Sequence, residues 1–185
     1  MDTAERRMTY RVTSEWVALK RHHWFPSIDF LHPKTFSVDW ENCVLVRSLV
    51  AGENSPDEAL EFEFIGSNFR KDTPDLATGE RLSAVPPQSL LSLSAPALSE
   101  LYDRQTAIIY SGIRPWRGAN AVYFRSIAVP FSNSTGELTY ALVALSYKVT
   151  KDALRPDQVG TEFFEFCEGA WLPMEGLPEA KRAIA

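Results

Sequence analysis

The stretch from Ala121 to Val149 constrains this chain most. It reads AVYFRSIAVPF, then SNSTGE, then LTYALVALSYKV. Two long runs of β-branched, aromatic and small apolar residues flank a short polar loop carrying Gly136, which is a strong β-hairpin signal. Both strands are apolar on both faces. Tyr123, Ile127 and Val129 fall on one side, and Val122, Phe124 and Ala128 on the other. One layer of helices covers only one face of such a sheet. The other face then needs an N-terminal helix, a C-terminal helix or a second subunit.

The rest of the chain supplies candidates. Thr13 or Ser14 caps a predicted helix over 15–24, and Pro26 ends it. Residues 1–12 read as polar and loosely ordered. Cys43–Val50 is a strand by composition, 52–57 a turn, and Leu60–Ile65 an alternating strand. That alternation turns Phe62 and Phe64 inward with Val44 and Val46. It turns Glu61 and Glu63 outward, within reach of Arg47. Residues 66–83 are irregular. Pro86-Pro87 opens a helix running to about Arg104, and Pro96 predicts a kink or two short helices. Ala107–Ile113 is a third strand of this side, and Pro115–Asn120 a turn. Residues 150–160 read as a polar linker. Phe163, Phe164, Phe166, Cys167, Ala170 and Trp171 share one side of a predicted helix stopped by Pro173. The expected divisions are an N-terminal extension and helix over 1–40, a central domain over 41–149, and a linker with helix over 150–185. The fold class is α+β.

Composition narrows the function classes. The 185 residues suit one core of ordinary size, with 45% hydrophobic and 23% charged residues. The net charge of −5 argues against nucleic-acid binding. Cys43 and Cys167 make neither a CxxC motif nor a zinc spacing, and read as reduced thiols. The longest apolar runs fall short of the roughly 20 residues of a bilayer span. The N-terminus lacks the apolar core of a secretory signal. The chain therefore reads as cytoplasmic, without membrane association.

Four segments resemble a PAS domain, and most of all the single-domain PAS-like proteins common in alphaproteobacteria. They are Trp24-Phe25-Pro26-Ser27-Ile28-Asp29 with Pro33, and Phe62-Glu63-Phe64-Ile65-Gly66-Ser67-Asn68-Phe69. The third is Asp75-Leu76-Ala77-Thr78-Gly79-Glu80-Arg81-Leu82. The fourth is Tyr123-Phe124-Arg125-Ser126-Ile127-Ala128-Val129-Pro130-Phe131-Ser132. The order and spacing carry the resemblance over about residues 14–149. It implies a five-stranded antiparallel sheet in order 2-1-5-4-3, with helices cupping one face around a small pocket. It also implies a role in bacterial signal transduction as a sensor, adaptor or dimerisation module.

Phe62, Phe64, Phe69, Tyr110, Tyr123 and Phe124 are the aromatics expected around the cupped face. Arg125, a charge amid apolar neighbours, must reach water, a carboxylate or a ligand. Arg114, Trp116 and Arg117 form a cationic–aromatic tip suited to an anion. Haem is not expected, because His22, His23 and His32 all precede the first strand. A light-sensing flavin is not expected either, because residues 66–79 hold no cysteine. Ser132 and Ser134 have no histidine in their segment, and Gly66 and Gly79 lack a phosphate-loop spacing. The expectation is a non-enzymatic PAS-like sensory or adaptor protein. It acts through ligand- or partner-dependent contacts, as a homodimer or with another protein. The alternatives are a small-molecule binding module, or a cone-shaped α+β hydrolase or isomerase.

Overall fold

Backbone pairing along the long hairpin organises the fold. The computed structural model describes residues 3–20, 24–34, 36, 38–49, 59–118, 120–151 and 162–166. In chain order these form α1 (Thr3–Lys20), β1 (Cys43–Ser48), β2 (Leu60–Ile65), α2 (Ser67–Asp72) and α3 (Ala95–Arg104). β3 (Ile108–Trp116), β4 (Asn120–Ser132), β5 (Leu138–Thr150) and β6 (Glu162–Phe166) follow. The sheet is antiparallel with six strands in the order β2-β1-β5-β4-β3-β6. The expected turn at 52–57, His22, His23, most of the 150–160 linker and Cys167 to Trp171 lie outside the described residues.

β4 and β5 pair from Ala121↔Thr150 to Ser132↔Leu138. Gly136 closes the turn at φ 87°, a left-handed conformation costly for any residue with a Cβ. Asn133 stiffens the loop by accepting the amides of Thr135 and Glu137 at 2.9 and 3.1 Å.

The sheet is covered on both sides. On the inner face, Val44, Val46, Phe62, Val122, Phe124, Ala128, Val143 and Leu145 pack with Phe69, Leu91, Leu98 and Leu101 from the helical segment. On the outer face, Ile127, Val129, Phe131, Leu142 and Ala144 pack against Met8, Val12 and Trp16 of α1. The N-terminal helix is therefore one cover of the second face, one of the options the two-sided pattern requires. It is longer than predicted and begins ten residues before Thr13. Met8, Val12 and Trp16 recur every four residues and form one buried stripe, so residues 3–12 are helical because that stripe has a sheet to bury against. The Trp16 indole N–H donates to the Pro130 carbonyl at 2.6 Å, pinning the helix to β4. At its C-terminal end Lys20 lies between the Trp16 and Trp24 rings, at 5.6 and 5.9 Å.

Three further expectations are corrected. Phe64 does not face inward with Phe62. A β-bulge leaves Glu63 without a partner, so Leu45 faces Phe64 while Val46 faces Phe62. The extra residue turns Phe64 to the outer face, edge-on to Trp40 at 5.6 Å. The segment at 162–166 is a strand and not part of a helix. The third correction follows from it: the sheet has six strands rather than five. Its outermost backbone groups on β3 are paired by β6. Pro96 acts as expected. A single 3₁₀ turn at Leu91–Leu93 precedes α3, and Pro96 sits in the first turn of α3, where no amide donor is needed.

Candidate functional site

Four of the seven expected pocket residues fill the space they were expected to line. Phe62, Phe69, Tyr110 and Phe124 are buried in the inner core. Tyr110 and Phe124 meet at 5.1 Å with tilted rings. Phe64 belongs to the outer face, as do Tyr123 and Arg125. The seven therefore do not converge on one cavity.

What stays open is the far end of the β3-β4-β5 meander. β4 and β5 are 13 residues long and β1 only six, so the long strands run past β1. The last β1 pairing on that side is Cys43↔Ala144. Beyond it Tyr147 and Val149 are 39% and 42% exposed on the inner-face side, and Tyr123 is 37% exposed on the outer side. Phe163 of β6, 58% exposed, lies across from Ser111 of β3 on the outer side. This sheet end therefore leaves large apolar side chains partly exposed on both of its faces.

A polar cluster lies beside this end, between β3 and β6. Glu162 stands directly across from Gly112, whose missing side chain leaves the space between Tyr110 and Arg114 open on that face. Its carboxylate reaches the two flanking inner-face residues, Tyr110 and Arg114. Arg114 Nε donates to Glu162 Oε1 at 2.5 Å, and a second Arg114 nitrogen donates to the Tyr110 hydroxyl at 2.6 Å. That hydroxyl in turn donates to Glu162 Oε2. The guanidinium lies 5.6 Å from the centre of the Phe124 ring. The hydrogen bond from Arg114 holds the Glu162 carboxyl below its ordinary range. Burial, then the hydrogen bond to Glu162, pushes the Tyr110 phenol up. The same bond to Glu162 raises Arg114, which stays charged. Nothing in this arrangement leaves a nucleophile or a base poised in a cleft. It is a charge-paired clasp.

No family model matches the chain, and no curated protein is significantly similar to it.

The other expected charges are likewise paired. Arg125 lies on the outer face and meets Glu165 of β6 at 3.3 Å. Arg47 pairs with Glu61 at 3.2 Å and Glu63 at 2.9 Å, as the strand alternation predicted for both. Arg117 lies over Trp116 at 5.3 Å and pairs with Asp72 at 2.8 Å. The cationic tip is thus held down by the helical segment. Sequence reasoning missed Glu162 altogether. Its signal was present as an acid two residues before an aromatic, EFF, but the segment was read as a helix. Among the described residues no cluster of histidine, cysteine and acidic side chains could hold a metal ion, and no helix is long and apolar enough to cross a membrane.

Proposed function

We propose that this chain is a non-enzymatic sensory or adaptor module of PAS-like character, working through protein contacts at the far end of its sheet. One observation carries the reading: Phe62, Phe69, Tyr110 and Phe124 are packed into the inner core, while Tyr123, Tyr147, Val149 and Phe163 are left partly exposed toward the far end of the sheet. Packed rings leave a small molecule little to fill. An exposed aromatic surface on a rigid strand end is a ready anchor for a partner. The partner is a second copy of the chain or another protein.

The test uses the purified chain and its Tyr123→Glu variant. Native mass spectrometry should find the polypeptide without a bound small molecule. Self-association in sedimentation, or capture of a defined partner from native cells, should be lost in the variant while its melting temperature holds. A stoichiometric co-purified ligand would instead favour the small-molecule reading.

A further inference from the structure

The contacts of β6 divide cleanly between a receptor and a ligand. Among the described residues the receptor groups are Tyr110 and Arg114 on β3 and Arg125 on β4, with Arg114 itself donating to the Ser92 carbonyl at 3.4 Å. Every ligand group lies within five consecutive residues. The backbone of 162–166 pairs with β3 from Gly112 to Ile108. The Glu162 carboxylate fills the Arg114–Tyr110 fork. Phe164 stacks on Tyr110 at 4.6 Å and 20°. It also closes one side of a recess of about 380 Å³ formed by Ser92, Ala95, Pro96, Ser99 and Glu100. Glu165 meets Arg125 on the opposite face. This is the arrangement of strand addition, with main-chain bonds for affinity and alternate side chains for selection.

Thr150 and Glu162 are separated by three strand spacings of about 4.8 Å each, and the eleven residues from 151 to 161 can span about 36 Å. The intervening residues are numerous enough to bridge the two strands, and a covalent link of that length gives an effective concentration in the millimolar range. The strand itself is short and half open to water, with Phe163 and Phe164 both exposed.

We propose that the β3 edge is a docking site for an extended peptide carrying a carboxylate two residues before an aromatic ring. The chain occupies it with its own residues 162–166, and a peptide of that chemistry displaces them. This rests on the reading of the chain as a contact module and names the partner: an acidic, aromatic strand.

The test uses the full chain carrying Glu162→Ala and Phe164→Ala, which strips the anchors of β6 and leaves the receptor intact. The probe is a fluorescein-labelled peptide of residues 160–168 with Cys167→Ser. Anisotropy should show saturable binding, weakened at least roughly tenfold by Arg114→Ala in the receptor or by Glu162→Gln in the peptide. Equal binding by the Arg114→Ala receptor or to a scrambled peptide would overturn the proposal, as would absence of binding to a variant that melts cooperatively. A second arm uses the wild-type chain. Millimolar peptide should shift the NMR amide signals of 162–166 while those of Ile108–Gly112 stay protected from exchange, and an unchanged spectrum would count equally against it. Failure here leaves the far-end contacts, read through Tyr123→Glu, standing. A co-purified ligand would undo that broader reading without touching the peptide result.

Discussion

Gly66 shows how one residue holds two elements together. A Cβ at that position would lie 2.5 Å from the carbonyls of Trp40 and Glu41 and 2.7 Å from that of Cys43. All three are backbone atoms and none can swing away. Gly66→Ala should cost about 1–3 kcal/mol, read as a lower denaturant midpoint at unchanged slope. The requirement comes from close approach, since Gly66 has an ordinary φ of −64°. Nearby, the Cys43 thiol is buried and donates to the Asp39 carbonyl at 3.2 Å. Burial, and then the charge of Asp39, pushes its pKa up to about 12. In a Cys167→Ser background, Cys43 should resist a thiol reagent at pH 8 in the native protein and react once denaturant unfolds it. Both residues were visible in the sequence, Gly66 as part of a motif and Cys43 as a reduced thiol. The carbonyls around Gly66 were not, because they come from a segment more than twenty positions away.

At the scale of elements, α1 and β6 are the two the sequence misassigns, for opposite reasons. The stripe of Met8, Val12 and Trp16 is sparse, and helix formation by so few apolar residues depends on a surface to bury them. Trp16→Ala should remove that anchor and cost about 3–5 kcal/mol by thermal or denaturant unfolding. Trp16→Phe should cost less, since it loses chiefly the bond to Pro130. Glu162–Phe166 is only five residues long, and a run that short fits a strand or a helix equally by pattern. The unpaired edge of β3 decides between them by offering a row of donors and acceptors. The docking of β6 also carries a pH dependence. The Glu162 carboxyl titrates below its ordinary value of 4.5 in the folded chain. Its stabilising contribution is therefore complete above that value and is lost as pH falls through the lower one. Acidification should lower the protection factors of amides along Ile108–Gly112 before the core opens, measured by hydrogen–deuterium exchange corrected for the intrinsic rate at each pH.

For the whole molecule, the two cores share their strands. β4 gives Val122, Phe124 and Ala128 to the inner core and Ile127, Val129 and Phe131 to the outer one. β5 gives Val143 and Leu145 to the first and Leu142 and Ala144 to the second. Loss of either cover exposes the same two strands, so the cores should not melt separately. Tryptophan fluorescence, with Trp16 reporting the outer core, and far-ultraviolet circular dichroism should give coincident unfolding curves. A distinct early fluorescence transition would refute the coupling.

The long hairpin, its two-sided faces, the position of the Pro96 break and the need for a second cover can all be read from the order of residues. These follow from local periodicity and turn chemistry, which operate between near neighbours in the chain. Packing settles that α1 is a cover, that a bulge turns Phe64 outward, that Phe62, Phe69, Tyr110 and Phe124 are core, and that Glu162 reaches Tyr110 and Arg114. Each of these depends on groups far apart in sequence competing for the same space or the same hydrogen-bonding edge, and local pattern carries no record of that competition.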